Sequence, residues 1–233
     1  MAPARGGAAC LKNVLYLHGF ASSPAGRKAT ALREKLEPLG LRVIAPDLNI
    51  PSFERLDFRG MARLAFWETR RHMPAVVCGS SLGALVALAS ARLALHSPLL
   101  LIAPALGFGP RWLEKLPPGD PVPFFHFGAG TELLIHRRFF EEMAGFDADR
   151  DPPEVPVVVI MGRRDESVPF DSVREVWDRW EASGRLVPGS RLVEIPDGDH
   201  GLLEYTDRIA DEVLALASLA PSSAGRGAPP AFH

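Results

Sequence analysis

An α/β fold, with a mostly parallel sheet flanked by helices on both faces, is what this 233-residue sequence predicts. Three observations carry the prediction. Short apolar runs recur without polar alternation, the pattern of strands buried on both faces. Segments of helical periodicity fall between them in regular succession. Hydrophobic residues make up 47% of the chain, enough for one substantial core, so residues 13–220 read as a single domain.

Val14-Leu15-Tyr16-Leu17 opens the series as a strand that stops at His18-Gly19. Residues 25–37 carry a helical pattern closed by Pro38 and Gly40, with Ser23 expected as its cap and Pro24 in its first turn. A second strand, 41–45, precedes Pro46-Asp47. Leu56, Met61, Leu64, Ala65 and Trp67 are spaced among charges as on a helix over 53–71. Pro74 restarts the chain into a third strand beginning at Val76, and 82–95 read as the helix after it. Strands follow at 99–103, 155–161 and 191–195, with helices at 171–182 and 204–219. Trp177 and Trp180, three apart on the first of these helices, are expected in the core.

The rhythm breaks at residues 104–153, too long for an ordinary connection in a compact α/β domain. Trp112, Phe124, Phe125, Phe127, Leu133, Leu134, Phe139 and Phe140 crowd this stretch, interrupted by Pro117, Pro118, Pro121 and Pro123. It reads as a lid-like insertion after the strand ending near Ala103, with one or two short helices folded over the C-terminal edge of the sheet. Its aromatics either anchor it to the body or line a substrate pocket.

Residues 1–12 read as a flexible N-terminus without the apolar core of a secretory signal, and 221–233 as a disordered Pro-, Gly-, Ala- and Ser-rich tail. A formal net charge of −2 without like-charge blocks argues against nucleic acid or anionic membrane as the main partner. No window is long and apolar enough for a membrane span, so the expected location is cytoplasmic. Cys10 and Cys78 make no disulfide framework, and Cys78 reads as a small buried hydrophobe in its strand. His126 and His136 lack metal-ligand spacing; neither a metal nor another cofactor is expected.

The chemistry centres on Gly79-Ser80-Ser81-Leu82-Gly83, a G-x-S-x-G match lying between an apolar strand and a helix. A strand-to-helix corner of this kind strains the serine backbone and projects its hydroxyl clear of the sheet, and Gly79 and Gly83 leave room for it. Five residues match by chance often enough that context has to support them. A nucleophilic serine needs a base, an orienter for the base, and donors for a developing oxyanion. His200 follows the last strand, at the same sheet edge as Ser81, and is the candidate base. Asp165 directly follows the 155–161 strand and is the candidate orienter, with Glu166 its nearest rival. Asp197 and Asp199 suit turn formation and capping better. Backbone N–H groups of Leu82 and Phe20 are the candidate oxyanion donors; Gly19 lets the second turn inward, and His18 reads as a structural hydrogen-bonding residue.

With these residues in place the chain resembles the α/β-hydrolases from Val14 to Leu219. More narrowly, Leu15-Tyr16-Leu17-His18-Gly19-Phe20-Ala21-Ser22-Ser23-Pro24, Lys28-Ala29 and the Ser81 motif are similar to the small bacterial esterases of the YqiA type. That resemblance implies a compact serine hydrolase acting on short acyl esters or thioesters, with Ser81, Asp165 and His200 as triad and Phe20 and Leu82 as oxyanion donors. The partner implied is a small-molecule acyl ester or thioester. Three alternatives stay open: C–C bond hydrolysis, peptide hydrolysis, or a binding protein that retains the fold without turnover. Arg137-Arg138 reads as a solvated basic face, with contact to an anionic coenzyme A thioester as its alternative. Ser22-Ser23-Pro24 with Arg27 and Lys28 carries a weaker phosphate-binding reading.

Overall fold

The computed structural model describes residues 12–93, 97–107, 109–145 and 149–219. The expectations for the N-terminus before Lys12, for Cys10 and for the tail after Ala220 lie outside the described residues. Among those described, six strands form one sheet: β1 (Lys12–Leu17), β2 (Leu41–Ile44), β3 (Val76–Ser80), β4 (Leu99–Ile102), β7 (Val157–Gly162) and β8 (Arg191–Ile195). Their order is β2-β1-β3-β4-β7-β8 and every pairing is parallel. A sheet of this kind is covered on both faces, which is why β3, β4 and β7 are buried along their whole length.

Helices α1 (Arg27–Leu36) and α7 (Thr206–Leu219) pack together on the sheet, while α2 (Phe58–His72) pairs with α3 (Leu82–Ala91). α6 (Phe170–Ala182) packs on β7, and its Trp177 and Trp180 lie in the core. Apolar residues surround α3 entirely, so it is buried from Leu82 to Ser90. Cys78 is also fully buried, and that burial pushes its thiol pKa up.

Strand order opens a crevice at one edge of the sheet. From β1 the chain moves outward to β2, then returns to place β3 on the other side of β1. The loops leaving β1 and β3 therefore diverge, opening a crevice at their carboxyl ends. Gly19 and Ser81 stand at those two ends.

Two expectations are corrected. The cap of α1 is Gly26, and Ser23 instead closes a turn in which its carbonyl accepts from Gly26 N at 2.9 Å. The helix starts only after that turn, leaving Pro24 outside it. The insertion has its two short helices, α4 (Gly109–Lys115) and α5 (Arg137–Ala144), but between them lies an antiparallel hairpin of β5 (Val122–His126) and β6 (Thr131–Ile135). Pro123 is tolerated there because each strand of a two-stranded ribbon has a free edge.

Candidate active site

Ser81 adopts φ 53° and ψ −117°, a backbone conformation that L-residues rarely take. It is held there from both sides. Its N–H donates to the Ile102 carbonyl at 3.0 Å, and its own carbonyl accepts from Ala84 N at 3.0 Å and Ala105 N at 3.3 Å. A Cβ on Gly83 would stand 2.1 Å from the Leu17 carbonyl oxygen, and one on Gly79 2.4 Å from the Gly83 oxygen. The two motif glycines thus let β1, β3 and α3 meet at van der Waals distance. Leu82 opens α3, so its N–H has no intrahelical acceptor.

Asp165 and His200 stand on loops brought together by another close approach. At the end of β7, a Cβ on Gly162 would lie 2.2 Å from the Gly198 carbonyl oxygen, so the loop after β8 crosses directly over this residue. Arg164 N donates to that same carbonyl at 3.0 Å and Arg163 N to Ile195 O at 2.9 Å. The Asp165 side chain is fully buried. One carboxylate oxygen accepts from Ser167 N and Val168 N at 2.9 and 2.8 Å, and the other lies 2.7 Å from His200 Nδ1. With Nδ1 engaged, Nε2 is the nitrogen left for a second partner. Glu166, the rival orienter, is exposed; Asp199 accepts from Leu202 N at 2.7 Å, a local cap.

The His-Gly loop is braced from within. His18 Nε2 accepts from Leu48 N at 3.0 Å, so Nδ1 carries the proton and donates to the Gly19 carbonyl at 2.9 Å. Burial lowers the pKa of this ring, consistent with a neutral strut. Phe20 then enters a ring cluster with Phe53, Trp112, Phe124, Phe139 and Phe140, at centroid distances of 4.9–6.1 Å. The insertion's aromatics divide between the body and the cavity. Phe124, Phe139 and Phe140 anchor it on Phe20, while Trp112 and Phe127 reach the cavity. Phe127 N donates to the Ala21 carbonyl at 2.8 Å, tying the hairpin to the same loop.

That cavity holds about 430 Å³ and is lined by Ser81 and His200 together with Gly19 and Phe20. Its polar wall adds Tyr16, Lys28 and Ser80, of which only Lys28 stood out in the sequence, in the weaker phosphate-binding reading. Lys28 Nζ donates to Ser80 Oγ at 2.9 Å and to the His200 carbonyl at 3.4 Å. Tyr16 also bonds to Ser80, and burial raises its pKa, keeping the phenol neutral. A signal for Lys28 was present: it lies four residues before buried Leu32, on the inward face of an amphipathic helix. Arg138 faces a different cavity of about 720 Å³, beside Asp57 and Glu142, and Arg137 donates to the Pro117 carbonyl. The Ser81 cavity contains neither arginine. Among the described residues no cluster of His, Cys, Asp and Glu could hold a metal, and no helix is long and apolar enough to cross a membrane.

The profile of an uncharacterised protein family, UPF0227, matches residues 13–210. No curated protein matches the chain. Solved structures similar to it include a proposed hydrolase from Agrobacterium vitis S4, at 20% identity and TM-score 0.72 over 88% of each chain. Alpha/beta hydrolase domain-containing protein 10 from mouse has 22% identity and TM-score 0.66, covering 89% of this chain and 88% of its own. A monoacylglycerol lipase from Paleococcus ferrophilus has 17% identity and TM-score 0.67, covering 88% and 94%. The fold is that of the α/β hydrolases.

Proposed function

This chain belongs to the UPF0227 family, and we propose that it is a serine hydrolase of carboxylic esters or thioesters. The observation that carries the reading is the 2.7 Å contact of Asp165 with His200 at the wall of a cavity that Ser81 also lines. The lipase among its structural neighbours supports an ester as substrate. Ser81 Oγ attacks the acyl carbon while His200 Nε2 takes its proton. The carbonyl oxygen becomes an oxyanion held by the N–H groups of Phe20 and Leu82. Collapse breaks the bond to the leaving oxygen or sulfur, which His200 protonates, leaving an acyl-Ser81 ester. A water molecule deprotonated by His200 attacks that ester and releases the acid, returning the proton to Ser81. Throughout, Asp165 fixes the Nδ1–H tautomer and stabilises the imidazolium. No metal or cofactor enters these steps, and a cytoplasmic location goes with the same reading.

Turnover of a panel of acyl esters, acyl thioesters, diketones and peptides tests it. The expected outcome is cleavage of esters or thioesters with an acylated Ser81 trapped on rapid quenching. Cleavage confined to diketones or peptides would transfer the site to the alternative chemistries, and no turnover of any class would leave a binding protein.

A further inference from the structure

Lys28 is a cation without an ionic partner at the wall of the reacting cavity. It leaves α1 on the stripe that carries Leu32 and Leu36, and its ammonium is partly buried between Ser80 Oγ and the His200 carbonyl. Both acceptors are neutral. They occupy two of its three N–H groups, and no carboxylate is within ion-pairing distance among the described residues. Asp165 and Asp199 attract it only at longer range, and burial pulls its pKa down to about 8. An ammonium drawn from water onto neutral acceptors is costly, and an anion arriving beside it recovers that cost. Arg27 lines the same cavity and reinforces the positive field.

We propose that Lys28 binds a carboxylate on the substrate, so that the ester or thioester cleaved at Ser81 is a half-ester of a short dicarboxylic acid. This rests on the serine-hydrolase reading above and specifies its substrate. Distance sets the length of the acid. Lys28 Nζ touches the side chain of Ser80, the residue preceding Ser81, so with adjacent Cα atoms ~3.8 Å apart the ammonium lies within about 12 Å of the nucleophile. With about 3 Å for the salt-bridged contact at the ammonium and about 3 Å for the approach of the hydroxyl to the acyl carbon, at most about 6 Å is left for the chain, which at roughly 1.2–1.3 Å per bond admits acids of up to about six carbons. Charge sets the anion. Asp199 stands on the same wall and disfavours a dianionic phosphate relative to a single carboxylate. The apolar wall of Phe20, Trp112 and Phe127 is then left for the alcohol or thiol portion.

The test compares 4-nitrophenyl half-esters of succinate, glutarate and adipate with neutral 4-nitrophenyl esters of matched length. The wild-type protein is expected to favour at least one half-ester by about tenfold or more in kcat/KM, the range of one charge-assisted hydrogen bond, with the gain in KM. In Lys28→Met the ratio of half-ester to neutral ester should fall to about one, whatever loss the two share. A wild-type preference for the neutral esters, or a ratio that survives Lys28→Met, overturns the proposal. Should that variant fail to fold, competition decides. Free succinate or glutarate should inhibit neutral-ester turnover by the wild type competitively and butyrate should not, and equal inhibition by all three overturns the proposal. If no ester is turned over, the hydrolase reading fails separately. Calorimetric binding of glutarate then supports or overturns the carboxylate site by itself.

Discussion

The two walls of the Ser81 cavity are built on opposite principles. The polar wall is fixed to the sheet: glycines bring backbone atoms into contact, and Asp165, Lys28 and Ser80 each hold a neighbour by hydrogen bonds of 2.7–2.9 Å. The apolar wall is held by rings. Trp112 and Phe124 meet Phe20 edge-on at 4.9 and 5.2 Å, and Phe127 is 73% exposed. Hydrogen bonds and backbone contacts have one satisfactory geometry, whereas ring clusters accept many of similar energy. The polar wall is thus suited to moving protons and the aromatic wall to accommodating different groups.

Mutations should separate the walls by the size of their effects. Ser81→Ala is expected to lower kcat by about 10⁴-fold or more with an unchanged thermal melt, read by single-turnover ester cleavage. Asp165→Asn follows, at about 10³–10⁴-fold, because the amide no longer fixes the His200 tautomer; near-normal turnover would shift the orienting role to Glu166. Gly83→Ala attacks the frame, forcing a methyl against the Leu17 carbonyl. A loss of several kcal/mol is expected in denaturant titration, comparable to the largest single-residue effects. On the apolar wall, Trp112→Ala should change selectivity among leaving groups by roughly tenfold or less, as one pocket contact does.

The smallest effect is one of pH. Lys28 is faced by Asp165 and Asp199 from the loops after β7 and β8, and by neutral Tyr16 and Ser80 from β1 and β3. Its ammonium loses its proton as pH rises through about 8, so preference for a half-ester should decline above that value relative to the matched neutral ester. Stability runs the other way. A lysine with a lower pKa folded than unfolded costs stability below pH 8, and the cost is lifted between about 8 and the ordinary value of 10.5.

What the sequence made legible follows the same division. Continuous apolar runs such as Val157–Gly162 identify buried strands because burial on both faces leaves no place for polar alternation. That Ser81, Asp165 and His200 share one edge was readable because parallel strands gather their C-terminal loops there. The hairpin was not, since Pro121 and Pro123 stand before and inside β5 and ring contacts leave no periodic trace. Lys28 was visible only as a charge on the inward stripe of α1; its contacts with Ser80 and His200 come from the fold. Gly162, which brings the Asp165 and His200 loops together, belongs to no motif.

Labelling with a fluorophosphonate, read by peptide mass, decides whether Ser81 is the nucleophile. A single phosphonyl adduct is expected on Ser81, formed at a rate that falls by about 10²–10⁴-fold in His200→Ala, the scale of a lost general base. A protein that stays unlabelled, or an adduct on another serine, would contradict it.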